Sequence, residues 1–120
     1  MPLLKRGYRH GVSFPAALLV TLAVEVPLYA AALAALRFAT AARAALLGAA
    51  VNLFTHPLLW WWLGSRPPVG RIAVAEVLVW AAEAGLLWLA VRRGMWVLAV
   101  VSAGANAASI LAGLLVSAAA

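Results

Sequence analysis

Residues 49–64 read AAVNLFTHPLLWWWLG. The stretch is almost entirely apolar, yet Asn52, Thr55, His56 and Pro57 fall within six positions. Strong hydrogen-bonding side chains and a helix breaker at the centre of a greasy segment make sense only once its solvent is known. The rest of the chain identifies that solvent. Of 120 residues, 68% are hydrophobic and 10% charged, and the mean hydropathy is +1.05. A water-soluble domain draws about a quarter of its residues from the charged types to cover its surface. This chain has too few, and the lipid bilayer is its natural surrounding.

Where the charges lie says more than how many there are. There is no Asp, and the three acidic residues, Glu25, Glu76 and Glu83, sit inside apolar runs. All nine Lys and Arg lie at the ends of such runs or between them. The pI near 11.5 therefore reflects topology signals, and the basic, aromatic-interleaved surface that nucleic acid requires is absent. With no cysteine, disulfides, thiolate metal sites and a Cys nucleophile are excluded.

Four apolar segments, 14–36, 44–63, 72–91 and 95–116, each approach the ~20 residues that a helix needs to cross a ~30 Å hydrocarbon core. The breaks are RFATAAR with Arg37 and Arg43, GSRPPVGR with Pro67 and Pro68, and RRG ending at Gly94. Proline cannot continue a helix and glycine permits a tight turn. Connections this short make neighbouring helices antiparallel. The expected fold is an all-α membrane protein, one domain over residues 1–120, folded as an antiparallel bundle of four transmembrane helices with short loops. The first segment is read as a retained span. Its apolar run is longer than the ~7–15 residues of a signal-peptide core, and Glu25 stands at its centre.

Lys and Arg near the helix ends set orientation. Lys5, Arg6, Arg9, Arg66 and Arg71 share one face of the membrane, and Arg37, Arg43, Arg92 and Arg93 the other. Five against four puts both termini in the cytoplasm. A balance this even also permits insertion in both orientations and an antiparallel homodimer. Trp60, Trp61, Trp62 and Trp96 suit an interfacial aromatic belt, whereas Trp80 and Trp88 lie deeper, as packing residues. Small residues recur in AALAALRFATAARAALLGAA and SAGANAASILAG, and such surfaces let helices approach closely in lipid.

Glu25 and Glu83 stand about midway along the first and third spans, with Glu76 nearer the Arg71 end. An acidic side chain at a helix centre costs roughly 2.5 to 3.5 kcal/mol on insertion scales. It is kept only as a neutral acid, or facing a partner or a wet cavity, and either way it belongs in the bundle interior. Glu76 and Glu83, seven apart, share a helix face, as do Asn52 and His56, four apart. Ser102, Asn106 and Ser109 form a polar stripe on the fourth span. Pro27 and Pro57 leave the carbonyls of Ala23 and Leu53 without their helical donors, and broken helices beside midplane polar groups are how many transporters build ion sites. The expected site is therefore Glu25, Asn52, His56, Glu76, Glu83 and Asn106, with Pro27 and Pro57 supplying helix-break backbone. Structural alternatives stand beside it. The Asn and Ser side chains suit interhelical hydrogen bonding, Glu76 can pair with Arg71, His56 can be a hydrogen-bonded core residue, and the prolines can be plain kinks.

VEVP, VNLFTHP, AEVLVWAAEAGLLW and SAGANAASILAG together resemble a group of small four-helix bacterial integral membrane proteins. The likeness rests on Glu25, Pro27, Asn52, Thr55, Pro57, Glu76, Glu83, Asn106, Ser109 and Gly113. At position 56 this chain has His where that group often has Asn. The resemblance implies a protein of the bacterial cytoplasmic membrane and supplies no activity. Beyond size and a first-helix Glu, the small multidrug exporters are unlike it.

Three functions compete. The first is an oligomeric proton- or cation-coupled transporter or channel using Glu25 and Glu83. The second is an assembly or scaffold subunit of a larger membrane complex, its polar groups locking helices together. The third is an intramembrane metalloenzyme, for which His56 with Glu25, Glu76 and Glu83 offers enough nitrogen and oxygen ligands, His56, Glu25 and Glu83 being the candidate metal ligands, although no HExxH spacing is present. No organic cofactor is expected, and a bound cation is the one non-protein group these residues suit. The expected partners are the lipid bilayer and either further copies of the chain or another membrane protein, with no nucleic acid.

Overall fold

Thr40, which precedes a run of alanines, and Ser13, which precedes Phe14-Pro15, are each followed by helix in a computed structural model describing residues 13–64 and 67–119. The helices are α1 (Phe14–Ala35), α2 (Ala41–Leu63), α3 (Val69–Val91) and α4 (Met95–Ala119). Ser13 Oγ accepts from the Ala16 N–H at 3.4 Å, and Thr40 Oγ1 from the Arg43 N–H at 3.2 Å. Each cap satisfies one of the donors that a helix start leaves open. The Thr40 cap explains why α2 begins three residues before the expected boundary, because Ala41–Arg43 is its first turn rather than loop. α3 likewise starts directly after Pro67-Pro68, whose fixed φ suits a helix entry. Arg92 ends α3 in the left-handed region at φ 58°.

All four helices are long and apolar enough to cross a membrane, and the protein is a four-helix, multi-pass membrane protein. Each helix packs against its chain neighbours, and α4 closes the ring on α1. Side chains at the ends give the direction. Phe14, at the start of α1, lies 5.4 Å from the ring of Trp60 near the end of α2. Arg43, early in α2, donates to the carbonyl of Ala90 near the end of α3 at 2.9 Å. Arg93 donates to the Arg37 carbonyl at 3.3 Å, joining the α1–α2 and α3–α4 turns at one end of the bundle. Gly94 (φ 56°) lies against Phe38 there, and a Cβ would meet the ring at 2.6 Å. The antiparallel bundle with short loops is as expected. Of the basic residues behind the orientation reading, Lys5, Arg6, Arg9 and Arg66 lie outside the described residues. Arg37, Arg43, Arg92 and Arg93 do gather at one end.

The bundle inverts the polarity of a soluble protein. Its outer face carries Leu19, Leu46, Trp61, Val69, Val100 and Leu114, each more than 60% exposed. The buried seam of α1 is Thr21, Glu25, Tyr29 and Leu33, one residue in four. On α3 it is Ala75, Val79, Glu83, Leu87 and Val91 with Ala84, again at four-residue steps. A periodicity search for an apolar stripe fails on such helices, since both faces are apolar and the polar residues point inward. Two apolar layers hold the interior. One joins Tyr29, Leu33, Ala44, Val51, Leu87, Val91, Leu98 and Ala105, and the other joins Leu59, Ala75 and Val79. A buried set of polar side chains lies between them.

Candidate functional site

Glu83, fully buried at the middle of α3, is the centre of that polar set. Its Oε2 accepts from the Tyr29 hydroxyl at 2.6 Å and from the Asn106 amide at 2.8 Å. Its Oε1 lies 3.3 Å from Thr55 Oγ1 and 4.0 Å from His56 Nε2. Tyr29 of α1 and Asn106 of α4 thus donate to this one carboxylate, while Thr55 of α2, whose hydroxyl donates to the Val51 carbonyl at 2.8 Å, lies against its other oxygen. In hydrocarbon an unpaired polar group costs several kcal/mol, and convergence on one residue is how four helices meet that constraint at once.

Tyr29 makes this geometry possible. Its ring is fully buried and passes so close to α2 that a Cβ on Gly48 would come within 2.9 Å of its Cδ2. Only a glycine at 48 lets the ring cross to α3, where its hydroxyl meets Glu83, with Ser102 Oγ of α4 at 3.4 Å. Ser102 Oγ in turn donates to the Trp80 carbonyl at 3.2 Å. The Trp80 indole N–H donates to the Ala99 carbonyl at 2.7 Å, tying α3 to α4 beside the cluster. Asn106 also donates to the Ser102 carbonyl one turn earlier, at 2.9 Å.

The second carboxylate is less well served. Glu25 is fully buried on α1, and its Oε2 accepts from the Ser109 hydroxyl of α4 at 2.6 Å. Its Oε1 makes no hydrogen bond among the described residues. Asn52 donates through Nδ2 to the Gly48 carbonyl at 2.8 Å, but its side-chain oxygen is unpartnered, as is His56 Nε2. Glu25, His56 and Glu83 each offer an atom such that all three atoms lie within 4.8 Å of one another.

Of the expected residues, the bundle brings Glu25, Asn52, His56, Glu83 and Asn106 into its buried interior. Glu76 is set apart. It is half-buried, two turns from Glu83, and makes no hydrogen bond or ion pair with a described residue. The Arg71 guanidinium instead lies over the Trp62 ring, 5.7 Å from its centroid. Pro27 and Pro57 also differ from expectation. α1 and α2 run through them without interruption, and both prolines are exposed. Ala23 and Leu53, whose carbonyls lose their donors, are exposed as well. A proline and the carbonyl four residues before it share one helix face, so the bare carbonyls point outward and away from the carboxylates.

Tyr29 is the residue of this buried cluster that sequence reasoning missed. A tyrosine in an apolar run reads as core, but its i,i+4 spacing from Glu25 was a usable signal. The opening stretch now has its answer. Asn52, Thr55 and His56 form the inner face of α2, and Pro57 belongs to the outer one. A separate apolar cleft of about 200 Å³ between α2 and α3, lined by Phe54, Leu58, Trp62, Leu78 and Ala82, reaches inward to Thr55. No known protein family, curated protein or solved structure matches this chain.

Proposed function

We propose that this membrane protein carries protons or small cations across the bilayer, with Glu25 and Glu83 as the groups that receive the ion. One observation carries the reading. Two carboxylates from different helices meet near the middle of their helices, and Glu25 Oε1 and His56 Nε2 beside them hydrogen-bond to no described residue. Insertion of a midplane acid is costly, and such residues mark ion and substrate pathways by default. Asn52, His56 and Asn106 supply neutral ligands on the way. Four helices enclose little space, so a pathway calls for an assembly of two or more chains. The setting is the bacterial cytoplasmic membrane with both termini inside.

Reconstitution into proteoliposomes tests this. Proton, Na⁺ and K⁺ flux through the wild type is expected to fall to the level of empty vesicles in Glu25→Gln and Glu83→Gln. Unchanged flux in both variants refutes it. A specific observation favours a second reading, an assembly subunit of a larger membrane complex. Glu83 accepts donors from α1 and α4 and touches Thr55 of α2, which is how a polar residue locks a bundle. On that reading the wild type carries no flux, and Glu83→Gln weakens capture of a membrane partner instead.

A further inference from the structure

We propose that Glu25, His56 and Glu83 are the ligands of a divalent first-row transition-metal ion. The proposal rests on the reading that the cluster receives a cation, but not on that cation crossing the membrane.

The first support is the division of labour within each carboxylate. Glu25 Oε2 is held by Ser109, and Glu83 Oε2 by Tyr29 and Asn106. The other oxygen of each is left to the cluster. Glu25 Oε1 makes no hydrogen bond among the described residues, and Glu83 Oε1 has only the longer Thr55 contact. Metal-bound carboxylates show this pattern, with one oxygen on the ion and the other fixed by outer hydrogen bonds that orient the group.

The second support is the chemistry of what is unsatisfied. Glu25 Oε1 and His56 Nε2 are buried and make no hydrogen bond with a described residue, the carboxylate oxygen carries lone pairs, and Glu25, His56 and Glu83 each bring a ligand atom within 4.8 Å of the other two. Neutral imidazole offers a lone pair too. A set of converging lone pairs is completed by a cation rather than by another acceptor. Two carboxylates and one divalent ion also sum to zero charge, which removes the penalty of a net charge in hydrocarbon.

The donor set narrows the ion. An imidazole nitrogen beside two carboxylates favours Zn²⁺, Mn²⁺ or Fe²⁺ over Mg²⁺ or Ca²⁺, which take oxygen ligands. Ligand bonds near 2.0–2.2 Å put neighbouring donors of a tetrahedral centre roughly 3.4 Å apart. Closing from 4.8 Å needs little more than an ångström of side-chain movement. The ligands come from α1, α2 and α3, so the ion would fasten three helices together.

The full chain, purified in detergent, stripped with chelator and titrated with ZnCl2 and MnCl2 by calorimetry, tests the proposal. Metal content after desalting and the thermal midpoint with and without metal provide independent readouts. The wild type is expected to take up one ion per chain and to melt higher with it. Loss of a direct ligand in His56→Leu or Glu25→Gln should weaken binding by about 100-fold or more, beyond what losing an outer-shell partner causes. Glu83→Gln removes the hub of the hydrogen-bond network and can fail to fold. His56 forms no hydrogen bond with a described residue, so its variant keeps the fold and the test decisive. His10, the other histidine, is retained in every variant and sets the background. A wild type that takes up no ion, or a His56→Leu variant that binds with unchanged affinity, overturns the site. Metal binding without flux upholds the site and sinks the transport reading. Flux that depends on Glu25 in a protein that takes up no metal does the reverse.

Discussion

Removing one oxygen atom from Tyr29 is the sharpest probe of the interior network. In Tyr29→Phe the fully buried ring still fills its place against Gly48, but the 2.6 Å hydrogen bond to Glu83 Oε2 is lost. Two magnitudes compete. A hydrogen bond to a charged group in a soluble protein is worth about 1.5–3 kcal/mol, whereas interhelical hydrogen bonds measured in membranes average about 0.6 kcal/mol and reach about 1.7. The membrane value is lower because helices separated in lipid also find partners. Tyr29 belongs at the top of that range, since its bond is short, accepted by a carboxylate and shielded by its neighbours. The loss is not complete, because Asn106 still donates to the same oxygen at 2.8 Å. The expected destabilisation is about 1.5 kcal/mol. Reversible unfolding in mixed micelles, titrated with denaturing detergent, measures it. A loss below about 0.5 kcal/mol would show that Tyr29 is ordinary core and that Glu83 is not the hub described.

Two further outcomes follow from the same geometry. Gly48→Ala sets a Cβ 2.9 Å from Tyr29 Cδ2 and 3.2 Å from its Cβ; overpacking of this kind costs about 1–3 kcal/mol, and in combination with Tyr29→Phe the two losses should not add, because the displaced ring has already left Glu83. Glu76→Gln should leave both proteoliposome flux and metal affinity within about twofold of wild type, well short of the 10–100-fold cost of an outer-shell partner, since its carboxylate lies outside the buried cluster; a larger effect would return Glu76 to the site.

Asn52, Thr55 and His56 were readable as an inward face because they recur at three- and four-residue steps within a span whose other residues suit lipid. Glu25 and Glu83 were readable as interior because a bilayer penalises every other position for them. Glu76 shows where such reasoning stops. Seven residues from Glu83 is the same helix face, but a shared face does not guarantee a shared neighbour, and a helix that crosses its partners leaves them along its length. The prolines show the same limit. Each flanks a polar residue in sequence, and yet the residue one or two places along a helix points 100–200° away. Tyr29 was hidden for the opposite reason, since its ring is as apolar as its surroundings and only the far end of its side chain finds a carboxylate.

Spans, turns and the need to bury every acid are consequences of composition read against a bilayer, because the cost of a polar group in hydrocarbon depends on depth and hardly on fold. The four helices and their short connections therefore follow from local sequence. Which acids meet, which tyrosine reaches them through the space left by a glycine, and which lone pairs are left without donors depend on how four helices are rotated and crossed about one another. That arrangement is set by contacts between residues as far apart as Glu25 and Ser109, and only the folded bundle decides it.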